Sequence, residues 1–144
     1  MSRTPRTALL VDDDPDFRMV LRDTIELQSP GCRVVEAGDG REALAYLDRC
    51  GRDGSVPRPD MIFLDLQMPG MSGQEILKII KSDPDLRSIP VVMMTGVDDE
   101  EEKRRAAENG ANSYNVKPSD PSAFVESLRA STCYWLTVHR FPAA

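Results

Sequence analysis

An excess of positive charge, long apolar runs and paired cysteines are all missing from this chain, and each absence removes a class of function. Lysine and arginine number 18 against 24 aspartates and glutamates, giving a formal charge of -6 and a pI near 4.8. An acidic chain gains no counterion-release energy from a phosphate backbone, so direct nucleic-acid binding is excluded. No run reaches the ~20 apolar residues of a membrane span. The apolar stretch after the basic segment Met1–Thr7 is about five residues long, against the ~7–15 of a signal peptide. No membrane contact and a cytoplasmic location are therefore expected. Cys32, Cys50 and Cys133 are odd in number and far apart, which fits neither a disulfide framework nor paired metal-ligand spacing. They read as reduced, mostly buried thiols. Internal repeats and low-complexity tracts are also absent. The 144 residues fit one domain, long enough to bury roughly two thirds of its unfolded surface.

What is present is a recurrence. Four apolar runs each end in a residue able to handle a phosphoryl group: Ala8–Val11 in Asp12 and Asp13, Met61–Leu64 in Asp65, Val91–Met94 in Thr95, and Tyr114–Val116 in Lys117. Short apolar runs separated by helical stretches predict buried strands of a parallel sheet, whose ligands bind at the carboxyl ends of the strands. A further strand is expected over Cys32–Ala37, with β-branched Val34 and Val35.

Five helices alternate with these strands. The first opens at Pro15 and buries Phe17, Val20, Leu21, Thr24 and Ile25, and the second runs from Arg41 to Arg49 with Ala43, Leu44 and Leu47 inward. The Gly/Pro-rich stretch Cys50–Pro59 reads as the longest loop. Helix three presents Ile76, Leu77, Ile79 and Ile80 to the core. Helix four opens with the acids from Asp98 to Glu102, placed at the positive end of the macrodipole, and Gly110 follows as a left-handed cap. Asp120 caps helix five, with Phe124, Val125 and Leu128 inward.

The chemistry of the strand ends is mutually dependent. Adjacent carboxylates such as Asp12 and Asp13 often serve only as helix cap and turn, and an Asp that ends a strand can simply bond to the turn after it. Crowding Asp12, Asp13 and Asp65 at one edge changes this, because three ionised carboxylates there repel and need a cation. Magnesium, satisfied by carboxylates, a carbonyl and waters, is the expected ion. A transferred phosphoryl group spreads charge over three oxygens, which the metal, the Thr95 hydroxyl and the Lys117 ammonium can share.

As an ordered set, Leu10–Asp13, Leu64–Gly73, Met94–Gly96 and Ser113–Pro118 resemble the receiver domain of two-component response regulators. The resemblance implies a flavodoxin-like (βα)5 fold, a doubly wound five-stranded parallel sheet of strand order 2-1-3-4-5. It also implies that Asp65 accepts a phosphoryl group from a sensor histidine kinase, in a magnesium- or manganese-dependent reaction. Asp13, Asp65 and the Gln67 backbone carbonyl would hold the metal, with Asp12 assisting through water. Thr95 and Tyr114 look like the switch pair, acting on the face formed by helix four, strand five and helix five, and Lys117 like the phosphate-binding lysine. Asn115 and Ser119 depart from the family's usual apolar residues. The segment Ser82–Pro90, the run Gly110–Tyr114 and the tail Tyr134–Leu136 are similar to stand-alone receivers that partner bacterial phytochrome kinases. Output would then pass through a downstream protein target or a phosphorelay partner.

The expected organisation is a receiver domain over 7–131 and an apolar extension over 132–144. That extension holds the single Trp, Trp135, with Tyr134, Leu136, Val138 and Phe141. Such a cluster left exposed marks an association surface, so a homodimer through the tail and the helix-four to helix-five face is expected, with folding back onto the domain as the alternative. Two other classes share the topology. A dehalogenase-like hydrolase needs a second Asp two residues after its nucleophile, where Gln67 stands, and a flavodoxin needs a phosphate loop after the first strand, which is lacking.

Overall fold

The computed structural model describes residues 6–52, 55–96 and 98–117, with residues 123, 126, 127, 129, 130 and 134. Its elements alternate as β1 (Thr7–Val11), α1 (Pro15–Gln28), β2 (Arg33–Ala37), α2 (Gly40–Arg52), β3 (Met61–Asp65), α3 (Gly73–Ser82), β4 (Val91–Thr95), α4 (Glu100–Glu108) and β5 (Ser113–Val116). The strands form one parallel sheet in the order β2-β1-β3-β4-β5, as expected. Helices on both faces bury β1, β3 and β4 completely, which is why these strands read as continuous apolar runs rather than alternating ones. The edge strands β2 and β5 are only partly buried.

Two clusters flank the sheet. Leu9, Val11, Ile62, Leu64, Val91 and Met93 point to one face with Leu47, Ile76, Leu77 and Ile80, and Ala8, Leu10, Phe63, Val92 and Met94 point to the other with Phe17, Leu21 and Ile25. Pro15 stands in the first turn of α1, and the Asp14 side chain caps it by accepting from the Asp16 and Phe17 amides. Gly110 takes φ +95° after α4, the left-handed position a side chain would resist.

Several expectations are corrected. Ile79 is 44% exposed, and the inward face of α3 is instead Gly73, Gln74, Ile76, Leu77 and Ile80. Helix α2 continues to Arg52, and β5 stops at Val116, one residue short of Lys117. Asp99 is the N-cap of α4, so that helix starts at Glu100 rather than Asp98. Val20 and Leu44 are only partly buried. Cys50 is half-buried, its thiol donating to the Pro57 carbonyl, to which Tyr46 also donates. These bonds hold the described part of the Cys50–Pro59 stretch against α2. Cys133, the departure at Ser119, the helix expected after Asp120 with Phe124, Val125 and Leu128, and the tail beyond Tyr134 lie outside the described residues, apart from helical positions at Ala123, Glu126, Ser127, Arg129 and Ala130.

Candidate functional site

The register of the sheet assembles the site. Val11 pairs with Leu64, Asp65 with Met94 and Thr95 with Val116, so the residues that end β1, β3, β4 and β5 share one carboxyl edge. Carboxylate oxygens of Asp12, Asp13 and Asp65 lie within 4.8 Å of one another. Asp12 and Asp65 are buried and Asp13 is exposed.

Asp12 is held at every polar atom. Its amide donates to the Ala37 carbonyl and its own carbonyl accepts from Arg18 Nη1. Oδ1 accepts the Asp14 amide at 2.9 Å, and Oδ2 accepts Lys117 Nζ at 2.7 Å. Lys117 Nζ also lies 3.8 Å from Asp65 Oδ1 and 3.9 Å from the centroid of the Phe17 ring. The Lys117 backbone amide donates to the carbonyl of Thr95, which is fully buried. Asp65 Oδ1 accepts the Gln67 amide at 3.3 Å, placing Gln67 in the turn directly beneath the carboxylate.

Burial and then the neighbouring charge of Asp12 push the Asp65 carboxyl up to about 7, against the opposing pull of Lys117 and the Gln67 amide. One ammonium among three carboxylates does not restore Asp65 to its ordinary range. A small divalent cation fits this set: the donors are hard oxygens, they converge, and the buried acid gains an opposite charge beside it. Such a pocket can ionise a carboxylate nucleophile and surround a group bonded to it with positive charge.

Tyr114 on β5 lies near the N-terminus of α4. Burial and then the charges of Glu102 and Asp99 raise its phenol, opposed by a bond with the Asp99 backbone, and Lys103 Nζ lies 5.9 Å from its ring centroid. Asn115, the departure from the apolar pattern, is satisfied by donating to the Met93 carbonyl and the Ser113 hydroxyl.

Three residues near the site were not singled out for it by sequence reasoning. Gln74, 4% exposed, donates to the Glu102 carbonyl and carboxylate and accepts from Asn109, tying α3 to α4. Arg18 bridges the Asp12 carbonyl and Glu36. Phe17 was expected only as core. A polar residue in the apolar phase of a helix was the available signal for Gln74; nothing local marked the other two.

Sheet order and the acids and ammonium gathered at its carboxyl edge define a doubly wound α/β protein with a carboxylate cluster and a lysine at the ends of its strands. A family model described as response regulator receiver domain matches residues 8–129. The chain belongs to the response regulator receiver domain family and is a two-component signalling protein. It is 30% identical over 143 residues to response regulator Rcp1 of Synechocystis sp., covering 99% of this chain and 97% of that one. The crystal structure of the Mn(2+)-bound form of Rcp1 superposes with a TM-score of 0.90 at 29% identity, covering 96% of this chain and 100% of that one. The phosphorylated cyanobacterial phytochrome response regulator RcpA also superposes with a TM-score of 0.90, at 30% identity, over 97% of this chain and 100% of its own. No described helix is long and apolar enough to cross a membrane.

Proposed function

We propose that Asp65 is the phosphoacceptor of this response regulator, taking a phosphoryl group from the phosphohistidine of a sensor histidine kinase. The convergence of Asp12, Asp13, Asp65 and Lys117 at one sheet edge carries this reading. An Asp65 carboxylate oxygen attacks phosphorus, the new O–P bond forms as the P–N bond breaks, and the imidazole leaves with the bonding pair and a proton from water. Asp13, Asp65 and the Gln67 carbonyl would hold magnesium or manganese, with Asp12 assisting through water, and the ion would supply ionisation of Asp65 and neutralisation of the incoming oxygens. Lys117 pairs with one phosphoryl oxygen and Thr95 donates its hydroxyl to another. Attack of water at phosphorus later regenerates Asp65, so the chain catalyses its own phosphorylation and dephosphorylation.

The phosphoryl group adds about −1.5 to −2 charge and new acceptor oxygens. Thr95 moves toward it and Tyr114 takes up the vacated space, remodelling α4, β5 and the segment after them. The partner is a kinase of the bacterial phytochrome class in the cytoplasm, a reading supported by full-length similarity to Rcp1 and RcpA. Residues 7–131 form the receiver and 132–144 an apolar extension that, with the α4–β5 face, joins two copies; Tyr134 is 48% exposed. Incubation with a small acyl phosphate and magnesium, followed by intact mass, tests the reaction. A receiver retains one phosphoryl group per chain transiently, whereas steady release of phosphate with no retained group would assign the pocket to a hydrolase.

A further inference from the structure

We propose that the face of Phe17 is a docking plate for the Lys117 ammonium, which makes Phe17 a positioning residue for phosphoryl transfer; this rests on the phosphoacceptor reading above. Lys117 Nζ lies 3.9 Å from the Phe17 ring centroid, well inside the ~6 Å over which a cation is attracted by an aromatic quadrupole. The Lys117 side chain is only 19% exposed, so its ammonium has given up part of its hydration shell and the ring replaces it. Phe17 itself is 7% exposed and belongs to the buried cluster of Ala8, Leu10, Leu21 and Ile25.

The geometry matters because Lys117 has to change partners. In this structure it donates to Asp12 at 2.7 Å and stands 3.8 Å from Asp65. A phosphoryl group on Asp65 draws it away from Asp12 toward a phosphoryl oxygen. A third hydrogen-bond acceptor beneath the ammonium would have to be broken during that shift. A ring face has no preferred donor direction, so Nζ slides across it while staying partly desolvated. Phe17 thereby keeps the positive charge at the pocket in both states without competing for its protons.

Phe17→Leu keeps an apolar side chain in the core and removes the quadrupole, and Phe17→Tyr keeps the ring. With saturating magnesium and acyl phosphate, Phe17→Leu slows phosphorylation by roughly two- to thirtyfold, the span that a cation over a ring face is worth. Magnesium affinity is unchanged and Phe17→Tyr restores the rate. In a Lys117→Met background Phe17→Leu causes no further loss, whereas a purely structural Phe17 would slow both backgrounds by the same factor and overturn the proposal. The second readout needs no variant to fold. Ring current displaces the Lys117 ε-methylene protons upfield in the NMR spectrum of the parent chain, and ordinary lysine shifts there would also overturn it. A parent chain that takes up no phosphoryl group would defeat the phosphoacceptor reading instead, with the ring-current result unaffected.

Discussion

Replacing Asp65 with Asn should stabilise the metal-free protein at neutral and higher pH. Burial and Asp12 hold the Asp65 carboxyl at about 7 against an ordinary 3.8, so the folded chain binds this proton about three powers of ten more tightly than the unfolded chain. Each power of ten is 1.36 kcal/mol, which sets a ceiling of about 4 kcal/mol on the cost of ionising Asp65 in the fold. Asn retains an oxygen to accept the Gln67 amide and carries no charge toward Asp12, leaving a gain of about 1–3 kcal/mol once relaxation of the pocket is included. Because the folded-state value is raised, the contribution of Asp65 is full below pH about 4 and is lost as pH climbs through about 7. The advantage of Asp65→Asn therefore grows across that window. Urea unfolding with a chelator present, followed by circular dichroism at pH 5 and pH 8, reads this directly. Saturating magnesium should erase the difference, since an ion at a hundred times its Kd adds about 2.7 kcal/mol to the parent and less to the variant. A variant no more stable than the parent at pH 8 in chelator, or an advantage equal at both pH values, would refute the electrostatic reasoning.

Asp13→Ala removes an exposed charge from the proposed metal site while leaving the buried network of Asp12 intact, so magnesium affinity falls by roughly tenfold or more with little change in melting temperature; calorimetric titration checks the first and thermal unfolding the second. Gly73→Ala places a Cβ 2.3 Å from the Asp65 carbonyl oxygen and 2.7 Å from Leu66 Cα, both backbone atoms that cannot turn aside. Its expected cost is about 3 kcal/mol in urea unfolding, with phosphorylation lost as the Asp65 turn is displaced. Truncation after Thr132 should yield a folded, phosphorylatable monomer by light scattering, whereas loss of the fold would show that the tail closes the core.

The sheet was legible because burial on both faces writes β1, β3 and β4 as unbroken apolar runs, and each run ends abruptly in a polar residue at the carboxyl edge. Strand order followed from the resemblance, not from periodicity. The phase of α3 was misread because Ile76, Leu77, Ile79 and Ile80 are all apolar, and the polar residue that really belongs inside, Gln74, is paid for by bonds to Glu102 and Asn109 some thirty positions away. Phe17 looked like ordinary core for a similar reason. Its second neighbour, Lys117, comes from the opposite end of the domain, and no local pattern connects them. Arg18 likewise acts on Asp12 through a backbone carbonyl, which leaves no mark on residue type.

The central claim, that Asp65 carries the phosphoryl group, is tested most directly by trapping the acyl phosphate chemically. Borohydride reduces an aspartyl phosphate to homoserine, expelling phosphate and leaving a permanent mark at the modified position. After incubation with acyl phosphate and magnesium, reduction and peptide mass mapping should find homoserine at position 65 alone, and none when magnesium is withheld. Homoserine at position 12 or 13 with Asp65 intact, or equal conversion without magnesium, would contradict the account.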